Sequence, residues 1–197
     1  MAMSQKTKAK LLDVGLDAVR RRGFAAVSIK DIVDAAGVPK GSFHYYFASK
    51  DAYALALMDH FGRHMADVAA AINADPKLGA VERLRRFFQA YAGRMADEEH
   101  ATGCILGILA AETGDLDPAV RARVAAGLKA FASFLVPHIR AAQQAGAIVD
   151  GVEPEALAGF LVDAWEGALL RMKSDGSDGA LRDFEHVVFG ALLRDGG

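Results

Sequence analysis

The sequence predicts an all-α protein of about nine helices, and three observations predict it. Apolar residues recur at the 3.6-residue period in almost every segment, start and stop signals mark the ends of those segments, and neither an alternating strand pattern nor an Asn-Gly hairpin turn occurs. The chain has 197 residues, 52% of them hydrophobic and 24% charged, with 5 prolines against 20 glycines. That balance is globular, and the length is enough to bury a core without disulfide staples.

In the first helix Leu11, Val14, Gly15 and Ala18 fall at i, i+3, i+4 and i+7, and Arg20-Arg-Arg-Gly23 places cations in the last turn and a glycine just beyond it. Ser28-Ile-Lys-Asp31 reads as a capping box, followed by Ile29, Ile32, Val33 and Ala36 at helical spacing and a stop at Gly37, so the second helix is short. Beyond Gly37-Val-Pro-Lys40, the segment 41–47 puts Phe43 and Phe47 on one face and Gly41, Ser42 and Tyr45 on the other. Ser49 caps a long fourth helix through about Ala71. Asp75-Pro76, Asp117-Pro118 and Glu153-Pro154 each place Pro at an expected first helical position, and breaks at Thr102-Gly103, 146–151 and 173–179 divide the remainder into about five helices.

The net charge of −2 conceals an asymmetry. Residues 1–50 carry nine Lys/Arg against four acids, a net of +5, whereas residues 51–197 carry fourteen against twenty-one, a net of −7. A basic head on an acidic body points to an anionic partner for the head. The lone Cys104 cannot make an internal disulfide and suits a reducing cytoplasm. The first ten residues lack the apolar core of a signal peptide, and no window approaches 18 uninterrupted apolar residues, so a cytoplasmic chain without membrane contact is expected.

Two short helices joined by a tight glycine turn, the second with its outward face free, describe a helix-turn-helix whose second helix enters the DNA major groove. Helix starts at Ser28 and Lys40, with Lys40 and Lys50 flanking the recognition helix, suit phosphate contacts, and Tyr45 with Ser42, His44 or Tyr46 suits base edges. A buried helical corner that merely exposes tyrosines would share these features. The run Gly23-Phe24, Ser28, Ile32, Ala35-Ala-Gly-Val-Pro-Lys-Gly-Ser-Phe-His-Tyr-Tyr-Phe47, Ser49-Lys50 resembles the N-terminal DNA-binding signature of TetR-family transcriptional regulators, over residues 10–57. The resemblance implies a homodimer, usually a repressor of a palindromic operator, with a helix-turn-helix domain at 1–50 and a ligand-binding and dimerisation domain at 51–197. By position it implies DNA contacts at Ser28, Lys40, Gly41, Ser42, His44, Tyr45, Tyr46 and Lys50, with His44 standing where the family usually has Tyr. Thr102-Gly-Cys-Ile-Leu-Gly107 with Ala110-Ala-Glu112 resembles a branch some of whose members respond to reactive or unsaturated small molecules.

In the body, an effector cavity needs apolar walls and a few polar groups, and the candidates are Phe61, Met65, Phe88, Tyr91, Met95, His100, Cys104, Ile108, Phe131 and Trp165, with Phe87 and Phe134 beside them. Plain core packing is the competing reading for each. Cys104, at the start of a short helix, is either a thiolate poised for electrophiles or an inert buried side chain. His60 and His64 are spaced i, i+4, but two ligands do not make a metal site, and neither a metal nor another cofactor is expected. Leu157, Phe160, Leu161, Ala164, Trp165, Ala168 and Leu169, then Phe184, Val187, Val188, Ala191 and Leu192, form two wide apolar stripes suited to a two-fold interface between the last two helices. No Walker loop, Gly-x-Gly-x-x-Gly, His-Glu-x-x-His or Gly-x-Ser-x-Gly occurs, so an enzyme is not expected. The alternative kept open is a helical ligand-binding scaffold that no longer recognises DNA.

Overall fold

Helix follows helix along the computed structural model, which describes residues 2–95, 103–112, 114 and 116–193. The order is α1 (Ala2–Arg22), α2 (Ile29–Ala36), α3 (Lys40–Tyr46), α4 (Lys50–Ala74), α5 (Ala80–Met95), α6 (Ile105–Ala111), α7 (Pro118–Gln144), α8 (Pro154–Asp175) and α9 (Gly179–Val187), the last running into a π-helical turn, Val188–Leu192. The described residues contain no strand. Two compact units result: residues 1–63 with 103–127, and residues 64–102 with 128–197.

The signals read from sequence act where they stand. Ser28 Oγ accepts from Asp31 N at 3.1 Å while the Asp31 carboxylate accepts from Ser28 N at 2.9 Å, closing the capping box. Gly37 ends α2 at φ +61°, with its own N–H on the Asp34 carbonyl and that of Val38 on the Val33 carbonyl. Ser49 Oγ accepts from Ala52 N at 3.0 Å at the head of α4. Pro118 and Pro154 open α7 and α8 as expected.

Pro76 does not open a helix. Asp75 closes a turn instead, its side chain accepting from Lys77 N at 2.9 Å and its carbonyl from Leu78 N at 3.5 Å, and Pro fits the second position of such a turn as well as it fits a helix start. The guanidinium of Arg83 fastens the connection by donating to the carbonyls of Ile72, Asp75 and Leu78 at 2.7, 2.6 and 3.0 Å. Helix α5 therefore starts only at Ala80.

The core of the first unit is aromatic at its centre. Phe43, Phe47 and Tyr53 meet with ring centroids 4.8 to 5.2 Å apart, and all three are buried. The Tyr53 hydroxyl donates to the carbonyl of Leu11 at 2.6 Å, lying in the notch left by Gly15 on α1. A Cβ on residue 15 would stand 1.6 Å from that hydroxyl oxygen, so the glycine read as one member of an apolar stripe is the seat of an α4 side chain. Burial pushes the Tyr53 phenol well above the usual tyrosine range, with the nearby Asp13 carboxylate adding to it.

The second unit is built around Phe87, Phe88, Tyr91, Phe131, Phe134, Trp165 and Phe184. Tyr91 stacks on Phe131 at 5.1 Å, and Phe88 lies 5.1 Å from Trp165 and 5.0 Å from Phe184. Leu157, Leu161, Trp165, Ala168 and Leu169 of α8 are buried within the chain, whereas Phe160, Leu170 and Val187 are 56%, 70% and 50% exposed.

Candidate nucleic-acid interface and effector site

Helix α3 is held from behind and open in front. Phe43 and Phe47 anchor it in the core, while Gly41, His44 and Tyr45 are exposed and Ser42 and Tyr46 are half-buried. Tyr45 is 76% exposed, with its ring edge-on to that of Tyr46 at 4.8 Å. Among the described residues a Cβ at Gly41 would meet nothing within 4 Å, and the residue has no left-handed backbone, so none of them requires glycine there. Lys40 is exposed at the start of the helix, and His44 leans edge-on to Phe43 at 5.6 Å.

The flanking cations differ in how they are held. Lys30 pairs with Asp34 at 2.5 Å, an interaction that raises its pKa, and Arg22 pairs with Asp31 at 3.2 Å. Lys50 is half-buried at the start of α4, where its ammonium donates to the Ala25 carbonyl at 3.2 Å and sits 4.6 Å from the centre of the Phe24 ring. Burial lowers its pKa, against the raising influence of the Glu112 and Asp51 carboxylates. Ser28 is exposed, with its hydroxyl engaged in the capping box.

Two residues that sequence reasoning passed over complete this unit. Glu112, just past the end of α6, accepts from the backbone N–H of Phe24 at 3.0 Å with one carboxylate oxygen and from that of Ala25 at 2.7 Å with the other. Gly23 makes room for it: the residue has φ +88°, and a Cβ there would come within 2.6 Å of the carboxylate. At the opposite end of α6, Arg20, only 6% exposed, donates from Nε to the Gly103 carbonyl at 3.1 Å. The only advance sign was that Glu112 and Arg20 lie in motifs, since their partners are 87 and 83 residues away in sequence.

Of the expected effector-site residues, Phe88, Tyr91, Phe131 and Trp165 come together in the aromatic cluster of the second unit, which also holds Met65 as a buried side chain. Phe61, Cys104 and Ile108 belong to the first unit, the first two buried and Ile108 half-buried. The Met95 side chain and all of His100 lie outside the described residues. Trp165 is 2% exposed, and its indole N–H has no acceptor among the described residues. A recess of about 320 Å³, lined by Arg85, Arg182, Glu185, His186, Phe189 and Gly190, belongs to the same unit and uses none of the expected residues, although the Phe189 ring lies 6.1 Å from that of Phe88.

Among the described residues no group of three or more His, Cys, Asp or Glu is placed to hold a metal ion. His60 Nε2 and the Asp13 carboxylate instead form a pair at 2.7 Å. No helix among the described residues is long and apolar enough to cross a membrane.

Comparison with known proteins gives the family of the chain. Residues 11–57 match the family described as bacterial regulatory proteins, tetR family, and residues 80–188 match the family described as tetracyclin repressor-like, C-terminal domain. The chain is 32% identical to the HTH-type transcriptional repressor DhaR of Mycobacterium sp. strain GP1, over 93% of this chain and 90% of that protein. It is 33% identical to the transcriptional regulator AcuR of Cereibacter sphaeroides, over 83% of this chain and 74% of that protein. A crystal structure of regulatory protein TetR from Rhodobacter sphaeroides superposes with a TM-score of 0.87 at 31% identity, covering 92% of this chain and 96% of that one.

Proposed function

The chain belongs to the TetR family and is a DNA-binding transcriptional regulator, and from that premise we propose a homodimeric repressor that leaves a palindromic operator when a small molecule occupies its second unit. It acts by binding and not by catalysis, and its DNA target puts it in the cytoplasm. The observation that carries the DNA-reading part is the α3 surface: a glycine the fold does not need, next to a tyrosine that spends its ring on solvent. Gly41 lets a DNA backbone approach closely, Tyr45 with Ser42, His44 and Tyr46 reads base edges, and Ser28, Lys40 and Lys50 hold phosphates.

The effector reading is supported by the aromatic cluster and by Trp165. A buried N–H without an acceptor costs about 1–3 kcal/mol, so a ligand that brings a hydrogen-bond acceptor to it gains more than apolar contact alone. The dimer reading is supported by Phe160, Leu170 and Val187, apolar side chains on the last helices that the chain itself leaves uncovered.

Selection of bound fragments from genomic DNA by the purified protein, followed by a release screen with small molecules, tests the whole reading. An inverted repeat with half-sites one helical turn apart, released by a ligand, is the expected result. Recovery of unrelated fragments only would leave the helical ligand-binding scaffold as the better account. Release retained in Cys104→Ser assigns sensing to the aromatic cluster, and release lost there assigns it to the thiol.

A further inference from the structure

We infer that Glu112 is a positioning residue for DNA binding, acting through Lys50. The inference rests on the reading of Lys50 as a phosphate contact and adds the group that holds it in place. Ala25 is gripped from both sides: its N–H is bound by the Glu112 carboxylate at 2.7 Å, and its carbonyl by the Lys50 ammonium at 3.2 Å. Phe24 is held in the same way, with its N–H on the other Glu112 oxygen at 3.0 Å and its ring 4.6 Å from the same ammonium. Two residues of the α1–α2 connection are thus clamped between an anion from beyond α6 and a cation at the start of α4.

The arrangement is built and not incidental. A carboxylate is the side chain that can accept from two adjacent backbone N–H groups at once, since each of its oxygens is an acceptor and neither carries a proton. Gly23 supplies both the left-handed turn that points those N–H groups one way and the space the carboxylate fills. Among the described residues Lys50 makes one hydrogen bond, so two of its three N–H donors remain for a phosphate. Fixing the ammonium on Ala25 and Phe24 beforehand removes the ordering cost that a free lysine would meet on binding. Because Glu112 directly follows α6, which Arg20 holds at its other end through Gly103, a shift of α6 by the length of a hydrogen bond would loosen Lys50.

The test is a double-mutant cycle on the full-length protein, with affinity for its selected duplex measured across a salt series. Glu112→Gln keeps the size but leaves one acceptor oxygen where the two N–H groups each have their own, and turns an N–H donor toward one of them. Lys50→Ala is expected to weaken binding about tenfold and to reduce the salt slope by about one phosphate's worth. Glu112→Gln should weaken binding about fivefold with the same change of slope. In the Lys50→Ala background it should then cost less than twofold. Hydrogen exchange at the Phe24 and Ala25 amides should quicken in Glu112→Gln while the α2 amides stay protected. Glu112→Asp, which retains the charge but is a methylene too short to span both N–H groups, should give the same pattern and serves if the Gln variant folds poorly. Multiplication of the two losses, or an unchanged salt slope in Glu112→Gln, overturns the inference and leaves the Lys50 reading intact. An unchanged affinity in Lys50→Ala overturns both.

Discussion

Single residues carry more of this molecule than their types suggest. Gly15 falls at an apolar position of α1, and the sequence offers no reason to prefer it to alanine, yet a Cβ there would stand 1.6 Å from the Tyr53 hydroxyl oxygen. Gly15→Ala should therefore destabilise the protein by about 2 kcal/mol through overpacking, more than the about 1 kcal/mol expected from removing the hydroxyl hydrogen bond in Tyr53→Phe. Denaturant midpoints decide the order, and a Gly15→Ala variant as stable as wild type would sink the steric account. On the reading face, Tyr45→Ala should weaken binding and relax preference at one or two base pairs, whereas Lys40→Ala should weaken all sequences alike. Equal losses on specific and random duplex for both variants would contradict that division. Placement was legible where chemistry is local. Spacing put Tyr45 and Gly41 on the outer face of α3, but it gave no sign of Glu112, because a carboxylate that binds backbone N–H groups 87 residues away leaves no periodic trace.

At the level of elements, helix ends were the most readable features. The capping box of α2 closes with side chains, the Gly37 cap with neighbouring backbone N–H groups, and the prolines opening α7 and α8 lack the N–H that a first helical position leaves unpaired, all within a few residues, so their grammar is written in short stretches. Pro76 shows the limit of that grammar, because its fixed φ suits a turn and a helix start equally and the choice is made by Arg83, which collects the carbonyls of the connection. The α2 cap also responds to acid. Two hydrogen bonds from Ser28 hold the Asp31 carboxyl below the usual range, with Arg22 assisting. A lowered carboxyl pKa contributes stability that is present above the unfolded value of 3.8 and fades as pH falls through the folded one. Protection of the α2 amides, relative to their intrinsic exchange rates, should hence fall below about pH 4 in wild type, and Asp31→Asn should be less protected at neutral pH but respond less to acid. Identical pH profiles for the two proteins would remove Asp31 from the account.

For the whole molecule, charge and exposed apolar surface give separate predictions. The basic first quarter implies affinity for duplex DNA that falls steeply with salt, the logarithmic slope counting the phosphates neutralised. The grouping of the expected effector residues was only half legible. Phe88, Tyr91, Phe131 and Trp165 cluster in one unit, but one-dimensional spacing has no means of separating them from Phe61, Cys104 and Ile108, which fold into the other. The apolar stripes of α8 and α9 were likewise mixtures. Most of their residues fill the chain's own core, and Leu170, 70% exposed, stood in neither. Leu170→Asp should convert a dimer to a monomer by sedimentation without loss of helicity. An unchanged sedimentation coefficient would move the interface elsewhere.

On the proposed dimer, the exposed side chains of Phe160, Leu170 and Val187 also bear on how the regulator behaves at the copy numbers of a living cell. A repressor that occupies its operator only in pairs responds to its own abundance by mass action. Below the concentration at which pairs form, occupancy of a sparsely filled operator rises with the square of the number of chains, so halving expression cuts occupancy fourfold. Above that concentration the same change is felt only linearly. On that reading the strength of the proposed contact sets how sharply a cell can erase repression by dilution alone, at each division, before any small molecule arrives.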